Sequence, residues 1–206
     1  MNTTNKKIEQ RQVSIQALLS AARTLFVSQG YQGTNLEQIA SNANLSKGAV
    51  YFYFKSKETV LIELLKQVEK IVVDDAIAHI ESKLRTSPLD QLIAYVHYQT
   101  NLGITHLADV LLLVLMSLEF KEKKSATQEF LAQMYQRQCD FMENLIKEGQ
   151  LSKDFRQDLP AKELASIVLG AHDGTFLAWY KRSDVLDGKD LARSLRMMMI
   201  DGLTHQ

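Results

Sequence analysis

Apolar residues recur at three- and four-residue intervals along almost the whole chain, and the breaks between these runs define its helices. Ile15, Leu18, Leu19, Ala22, Leu25 and Phe26 form one face of a helix over about residues 9–29. Gly30 follows, with the backbone freedom that helix C-termini favour. Leu36, Ile39 and Ala40 give a short second helix its inward face. Its start is held either by Thr34, whose spacing to Glu37 fits a capping box, or by Asn35. It ends near residues 41–44, where small and amide side chains tolerate a turn. Ser46 is placed to cap a third helix, with Leu45, Val50 and Phe54 facing inward. Ser56 is placed to cap a fourth, marked to about Ser82 by Leu61, Leu64, Leu65, Val68 and Val72. After a break at Thr86, Ser87 and Pro88, helical patterns cover about residues 88–102, 106–120, 125–149, 160–182 and 188–204. Pro88 suits a first helical turn. No strand alternation is found, so an all-α fold of about nine helices is expected.

The stretch 34–57, TNLEQIASNANLSKGAVYFYFKSK, holds two short helices, a tight turn, an aromatic cluster and three lysines. It predicts a helix-turn-helix whose third helix enters the major groove of double-stranded DNA, with its N-terminal residues against base edges. Lys47 is a cation at that N-terminus. Gly48 allows close backbone approach, and Ala49 suits a thymine methyl. Tyr51 and Tyr53 carry hydroxyls that can donate to phosphates. Lys57, at the start of the fourth helix, gains little from the helix dipole there and makes more sense beside a phosphate.

This run resembles the TetR family of transcriptional regulators. The resemblance rests on Gly30-Tyr31-Gln32-Gly33-Thr34, Ile39-Ala40, Leu45-Ser46-Lys47-Gly48-Ala49-Val50-Tyr51 and Phe54-Lys55-Ser56-Lys57-Glu58, within roughly residues 11–62. Asn35 departs from the family's usual second Thr or Ser, but caps a helix equally well. Carried over by position, the family's DNA contacts fall on Thr34, Lys47, Gly48, Ala49, Tyr51, Tyr53 and Lys57. The resemblance implies a helix-turn-helix DNA-binding domain over residues 1–55. It implies an effector-binding and dimerisation domain over 56–206, whose last two long helices form a four-helix bundle with a second copy.

Charge sharpens this picture. The chain of 206 residues has no net charge, yet residues 1–57 carry seven Lys or Arg against Glu9 and Glu37, a net of five positive. The remainder is five negative. A basic head on an acidic body suits a protein that draws affinity from phosphates. Hydrophobic content of 46% and charged content of 23% are those of an ordinary globular protein. Cys139 is the single cysteine, which excludes an intrachain disulfide and reads as an inert, buried thiol. Residues 1–8 are polar and do not form a signal peptide. The longest apolar run, residues 108–118, is too short to cross a bilayer. A cytoplasmic location and no membrane partner are expected.

In the body, helix 160–182 carries Ile167, Ala171, Gly174 and Ala178, and the last helix carries Leu191, Leu195 and Met198. Small residues permit close helix approach, and the apolar surplus marks these seven as a homodimer interface. Two-fold symmetry also matches a palindromic operator. Tyr95, Tyr98, His106, Met116, Phe120, Met134, Phe141, His172, Phe176 and Trp179 are the candidate ligand contacts, since effector pockets are mostly apolar with a few placed polar groups. His172-Asp173 interrupts an apolar helix. Because neighbours in a helix face different ways, one of the pair is expected to face the chamber and the other to face outward. The aromatic and aliphatic bias predicts a small lipophilic or aromatic effector.

Two other classes fare worse. An enzyme would draw on His106, His172, Asp173 or Cys139, but no nucleophile elbow, HExxH or phosphate loop is present, so no catalytic residue is assigned. A carrier with a relic head would not need the intact cations and hydroxyls. His79, His97, His106, His172 and His205 lack ligand spacing, and no metal or cofactor is expected. The expected function is a dimeric, effector-responsive regulator, most simply a repressor.

Overall fold

The computed structural model describes residues 3–82 and 87–204, with side chains from residue 6 onward. Of the expectations above, Thr86 in the break and His205 lie outside the described residues. The helices are α1 (Thr3–Gln29), α2 (Leu36–Asn42), α3 (Lys47–Tyr53), α4 (Lys57–Glu69), α5 (Asp75–Glu81), α6 (Pro88–Thr105), α7 (Leu107–Phe120), α8 (Ala126–Ser152), α9 (Ala161–Lys181) and α10 (Gly188–Thr204). A π-helical segment, Lys70–Asp74, joins α4 to α5 without a break. Among the described residues, counting α4, that segment and α5 together leaves nine helices and no strand.

Local chemistry explains most boundaries. α1 begins earlier than its apolar stripe, because the polar residues before residue 9 contain no Gly or Pro to interrupt a helix. It ends at Gly30, whose φ of +74° is the left-handed conformation that a side chain resists. The cap of α2 is Asn35: its side chain accepts from Gln38 N at 2.9 Å, and Gln38 Oε1 accepts from Asn35 N at 2.8 Å. That reciprocal pair is the capping box, one residue later than the Thr34–Glu37 alternative. The Thr34 hydroxyl instead donates to Gly30 O at 2.9 Å. Ser46 caps α3 by accepting from Ala49 N. Ser56 and Thr59 exchange backbone and hydroxyl hydrogen bonds at the start of α4. Ser87 caps α6, with Pro88 in its first turn.

The chain packs into two compact units that do not follow chain order. The first comprises Met1–Glu69 and Leu107–Ala132. In it α1 packs on α2, α4 and α7, and α2 on α3. Leu18, Phe26, Ile39, Val50, Leu64, Leu112 and Met116 are buried there. Arg23 Nε lies 2.7 Å from the buried Asp109 carboxylate, an ion pair joining α1 to α7. Glu58 accepts from both the backbone N–H and the hydroxyl of Thr127.

The second unit comprises Lys70–His106 and Gln133–Gln206. Its core gathers Ile80, Leu92, Tyr95, Met142, Ile146, Phe155, Val168 and Leu203. Phe155 turns back onto α8 so closely that its ring occupies the space where a Cβ on Gly149 would stand.

Candidate functional site

The exposed surface of α3 and the start of α2 form one candidate site. Lys47 is exposed at the first turn of α3, Gly48 is exposed beside it, and Ala49 is half-buried. Tyr51 is exposed, and Tyr53 is half-buried with its ring edge-on to Phe52 at 5.1 Å. Phe52 is 79% exposed, an apolar cost that its edge contact with Tyr53 only partly covers. Between two tyrosines whose hydroxyls suit phosphates, Phe52 carries no sequence signal of its own.

Glu37, placed by its spacing to Thr34 in a possible capping box, has another role here. Its Oε1 lies 2.7 Å from Lys47 Nζ and accepts from the Tyr51 hydroxyl at 2.9 Å. These bonds, the Lys47 one foremost and then one from its own backbone, hold the Glu37 carboxyl down at about 2 from an ordinary 4.5. The same carboxylate pushes the Lys47 and Tyr51 pKa values up. Two side chains expected to meet DNA are thereby tied to one anion.

Thr34 and Lys57 sit deeper. Thr34 is buried. Lys57 Nζ donates to Tyr31 O at 2.6 Å and Thr34 O at 2.8 Å, and lies 4.1 Å from the Tyr31 ring centroid. Burial lowers the Lys57 pKa. Burial, with Glu58 and Glu119 nearby, pushes the Tyr31 phenol up to about 12. Lys57 thus ties the loop after α1 to the start of α4, leaving one ammonium proton for any further acceptor.

A second candidate site is an apolar cleft in the second unit, walled by α6, α9 and α10, with about 440 Å³ of space when its open mouth is counted. His172, Phe176 and Trp179 line it together, since positions four and three apart share a helix face. Gln99, Thr100, Ile104, Thr175, Leu191 and Leu195 complete most of the wall. Gly103 lets the Phe176 ring pass within 3.1 Å of where its Cβ would stand. Asp173 points outward while His172 faces the cleft, the split expected for adjacent helix residues.

The other candidate ligand contacts lie elsewhere. Tyr98 is half-buried and donates to Ile71 O, while His106 closes α6. Tyr95, buried in the core of the second unit, lies 6.2 Å from the Phe141 ring, and Met134 is buried. Met116 and Phe120 belong to the core of the first unit, Phe120 edge-on to Tyr31.

Of the seven expected interface residues, Ile167, Gly174, Ala178 and Met198 are exposed. Ala171 and Leu195 pack on the core, and Leu191 faces the cleft. Cys139 is half-buried, and burial raises its thiol pKa, which disfavours the reactive thiolate.

Residues 18–64 match the family described as bacterial regulatory proteins, tetR family, and residues 61–202 match the family described as YsiA-like protein, C-terminal region. The chain is 20% identical over 199 residues to the fatty acid metabolism regulator protein of Bacillus subtilis (strain 168), covering 97% of this chain and 100% of that one. It is 41% identical over 68 residues to the HTH-type transcriptional regulator RutR of Escherichia coli (strain K12), covering 33% and 32% of the two chains. Among solved structures it is similar to the MbdR regulator from Azoarcus sp. CIB, with a TM-score of 0.82, 37% identity and coverage of 92% and 98%. The fold also matches the transcriptional regulator FadR from Bacillus subtilis in complex with stearoyl-CoA, with a TM-score of 0.75, 20% identity and coverage of 91% and 98%.

Proposed function

The chain belongs to the TetR family of bacterial regulatory proteins, and from that premise we propose that it is a repressor that binds a palindromic operator as a homodimer and leaves it when a small lipophilic or aromatic effector binds. It is a DNA-binding transcriptional regulator and not an enzyme. In the proposed reading residues 1–55 contact DNA and residues 56–206 bind the effector and dimerise. Its place of action is the cytoplasm.

The observation that carries the reading is the exposed face of α3, where Lys47, Tyr51 and Tyr53 stand on one short helix behind a capped turn. A recognition helix so displayed can reach bases with its first turn while its hydroxyls take phosphates. Thr34 and Lys57 hold the frame on which that helix rests, and each remains a proposed DNA contact.

The cleft beside His172, Phe176 and Trp179 supports the effector half of the reading. Its rings favour a planar or aliphatic group, and its few polar side chains give such a group an orientation. An acyl thioester belongs among the first effectors to test, because a regulator of this fold was solved with stearoyl-CoA. Ile167, Gly174, Ala178 and Met198 supply an exposed, small-and-apolar face for the second copy.

Release requires an effector that binds one conformation better than the other, since equal affinity for both shifts nothing. The test is selection of bound sequences from a random duplex pool at fixed salt, with and without a panel of acyl thioesters and aromatic acids. A palindromic site that is lost with one panel member supports every part of the proposal. No enriched sequence at any salt would refute it.

A further inference from the structure

The π-helical segment Lys70–Asp74 inserts an extra residue into a rod that is otherwise α-helical. Such insertions are rare and weaker than α-helix, so they persist where neighbours support them. Here the support comes from two consecutive side chains of α6. The Tyr98 hydroxyl donates to Ile71 O at 3.0 Å, and Gln99 Nε2 donates to Val72 O at 3.0 Å. The Gln99 bond to Val72 O is buried, so its loss would leave that carbonyl without a ready replacement, while the Tyr98 bond to Ile71 O is part-buried.

Gln99 has a second property. It is buried, its side chain also meets the Tyr95 hydroxyl, and it lines the cleft beside Phe176 and Trp179. Its amide nitrogen carries two protons, and through the bond to Val72 O it joins the cleft wall to the segment. A carbonyl or carboxylate oxygen entering the cleft would compete with Val72 O for them.

We propose that Gln99 is the positioning residue through which occupancy of the cleft sets the helical register of Lys70–Asp74. This rests on the reading of the cleft as an effector site. With its Gln99 bond diverted, the segment loses a support for the wide turn and relaxes to α-helix. Removing the inserted residue rotates the rod by about 100° and shifts it by about 1.5 Å per residue. Lys70 is the residue at which the two compact units part along the chain, and α4, immediately before it, belongs to the unit that carries α3. A register change there therefore enters the DNA-binding unit through the backbone. The effector class follows: an apolar body carrying an oxygen acceptor.

The experiment is amide hydrogen exchange on the full-length protein, wild type against Gln99→Leu, with operator affinity measured on the same samples. Loss of one buried hydrogen bond predicts about five- to tenfold faster exchange. The effect should be confined to residues 70–77, with α9 and α10 unchanged and operator affinity shifted at least twofold. Tyr98→Phe should act in the same place and direction. If Gln99→Leu does not fold, Gln99→Met keeps the volume and lacks the donors. Unchanged exchange at 70–77, or faster exchange throughout the second unit, overturns the proposal. Local exchange with unaltered operator affinity also overturns it, while leaving the repressor reading intact. Failure of the wild type to bind any operator instead removes the repressor reading, and with it the proposal's premise.

Discussion

The Tyr51 hydroxyl donates to the Glu37 carboxylate across 2.9 Å, linking the exposed face of α3 to the first turn of α2. The same oxygen stands 2.7 Å from the Lys47 ammonium. One anion thus aligns two groups suited to a phosphate backbone, and also opposes that backbone by its charge.

Replacing Glu37 with Gln should therefore separate affinity from discrimination. Binding to random duplex should rise by a few fold, as one repelling charge near the phosphates is removed. Binding to the selected operator should rise less, because a neutral amide oxygen holds Lys47 and Tyr51 more weakly than the carboxylate does. Titrations on both duplexes at two salt concentrations would test this. An equal rise on both would mean that Glu37 acts by charge alone.

The acid behaviour of Glu37 has a definite sign. Its folded-state pKa is depressed to about 2 from 4.5, so its contribution is complete above 4.5 and is lost as pH falls toward 2. A carbon-detected NMR titration of the Glu37 side chain should give a midpoint near 2 in the wild type. In Lys47→Met, which lacks the foremost cause, the midpoint should move up toward 4.5. A wild-type midpoint at the ordinary value would show that the carboxylate does not hold its partners in solution.

Gly149 should tolerate no side chain. An Ala there places its Cβ inside the Phe155 ring, so either the turn after α8 or the core must give way. The expected loss is about 1–3 kcal/mol, typical of overpacking. Thermal melts of Gly149→Ala should show a Tm lower by several degrees. Gly174→Ala, where nothing stands within 4 Å, is the matched control in the isolated subunit.

The proposed second copy is tested on the exposed apolar face. Ile167→Asp and Met198→Glu alter side chains that are 63% and 74% exposed, so neither should disturb the fold of one subunit. Sedimentation velocity should show a wild-type dimer and a double variant shifted to monomer, with weaker operator binding. A monomeric wild type at the concentrations used for DNA binding would end the dimer proposal.

Helix existence and most helix ends were written locally. Asn35, Ser46, Ser56 and Ser87 act through bonds to residues three positions on, and Pro88 through its fixed φ, so their roles can be read from short windows. The exposed Lys47 and Tyr51 were legible for the same reason, as was the shared face of His172, Phe176 and Trp179. The choice between Thr34 and Asn35 was not, because both spacings are permitted and only the backbone angles around the cap separate them.

Other features depend on residues far apart in the chain. Leu107–Ala132 joins the first unit because Asp109 meets Arg23 and Phe120 meets Tyr31, which no helical period encodes. Glu37 reads as a capping carboxylate until folding brings Lys47 and Tyr51 to it. The π turn at Lys70–Asp74 has no signature of its own, since its support is offered by Tyr98 and Gln99 from another helix. The chain alone determined where helices lie and which head they build, because periodicity and capping are short-range. Tertiary structure decided which carboxylate holds the recognition helix and where one rod leaves α-helical register, because those outcomes depend on which side chains packing brings within hydrogen-bond reach.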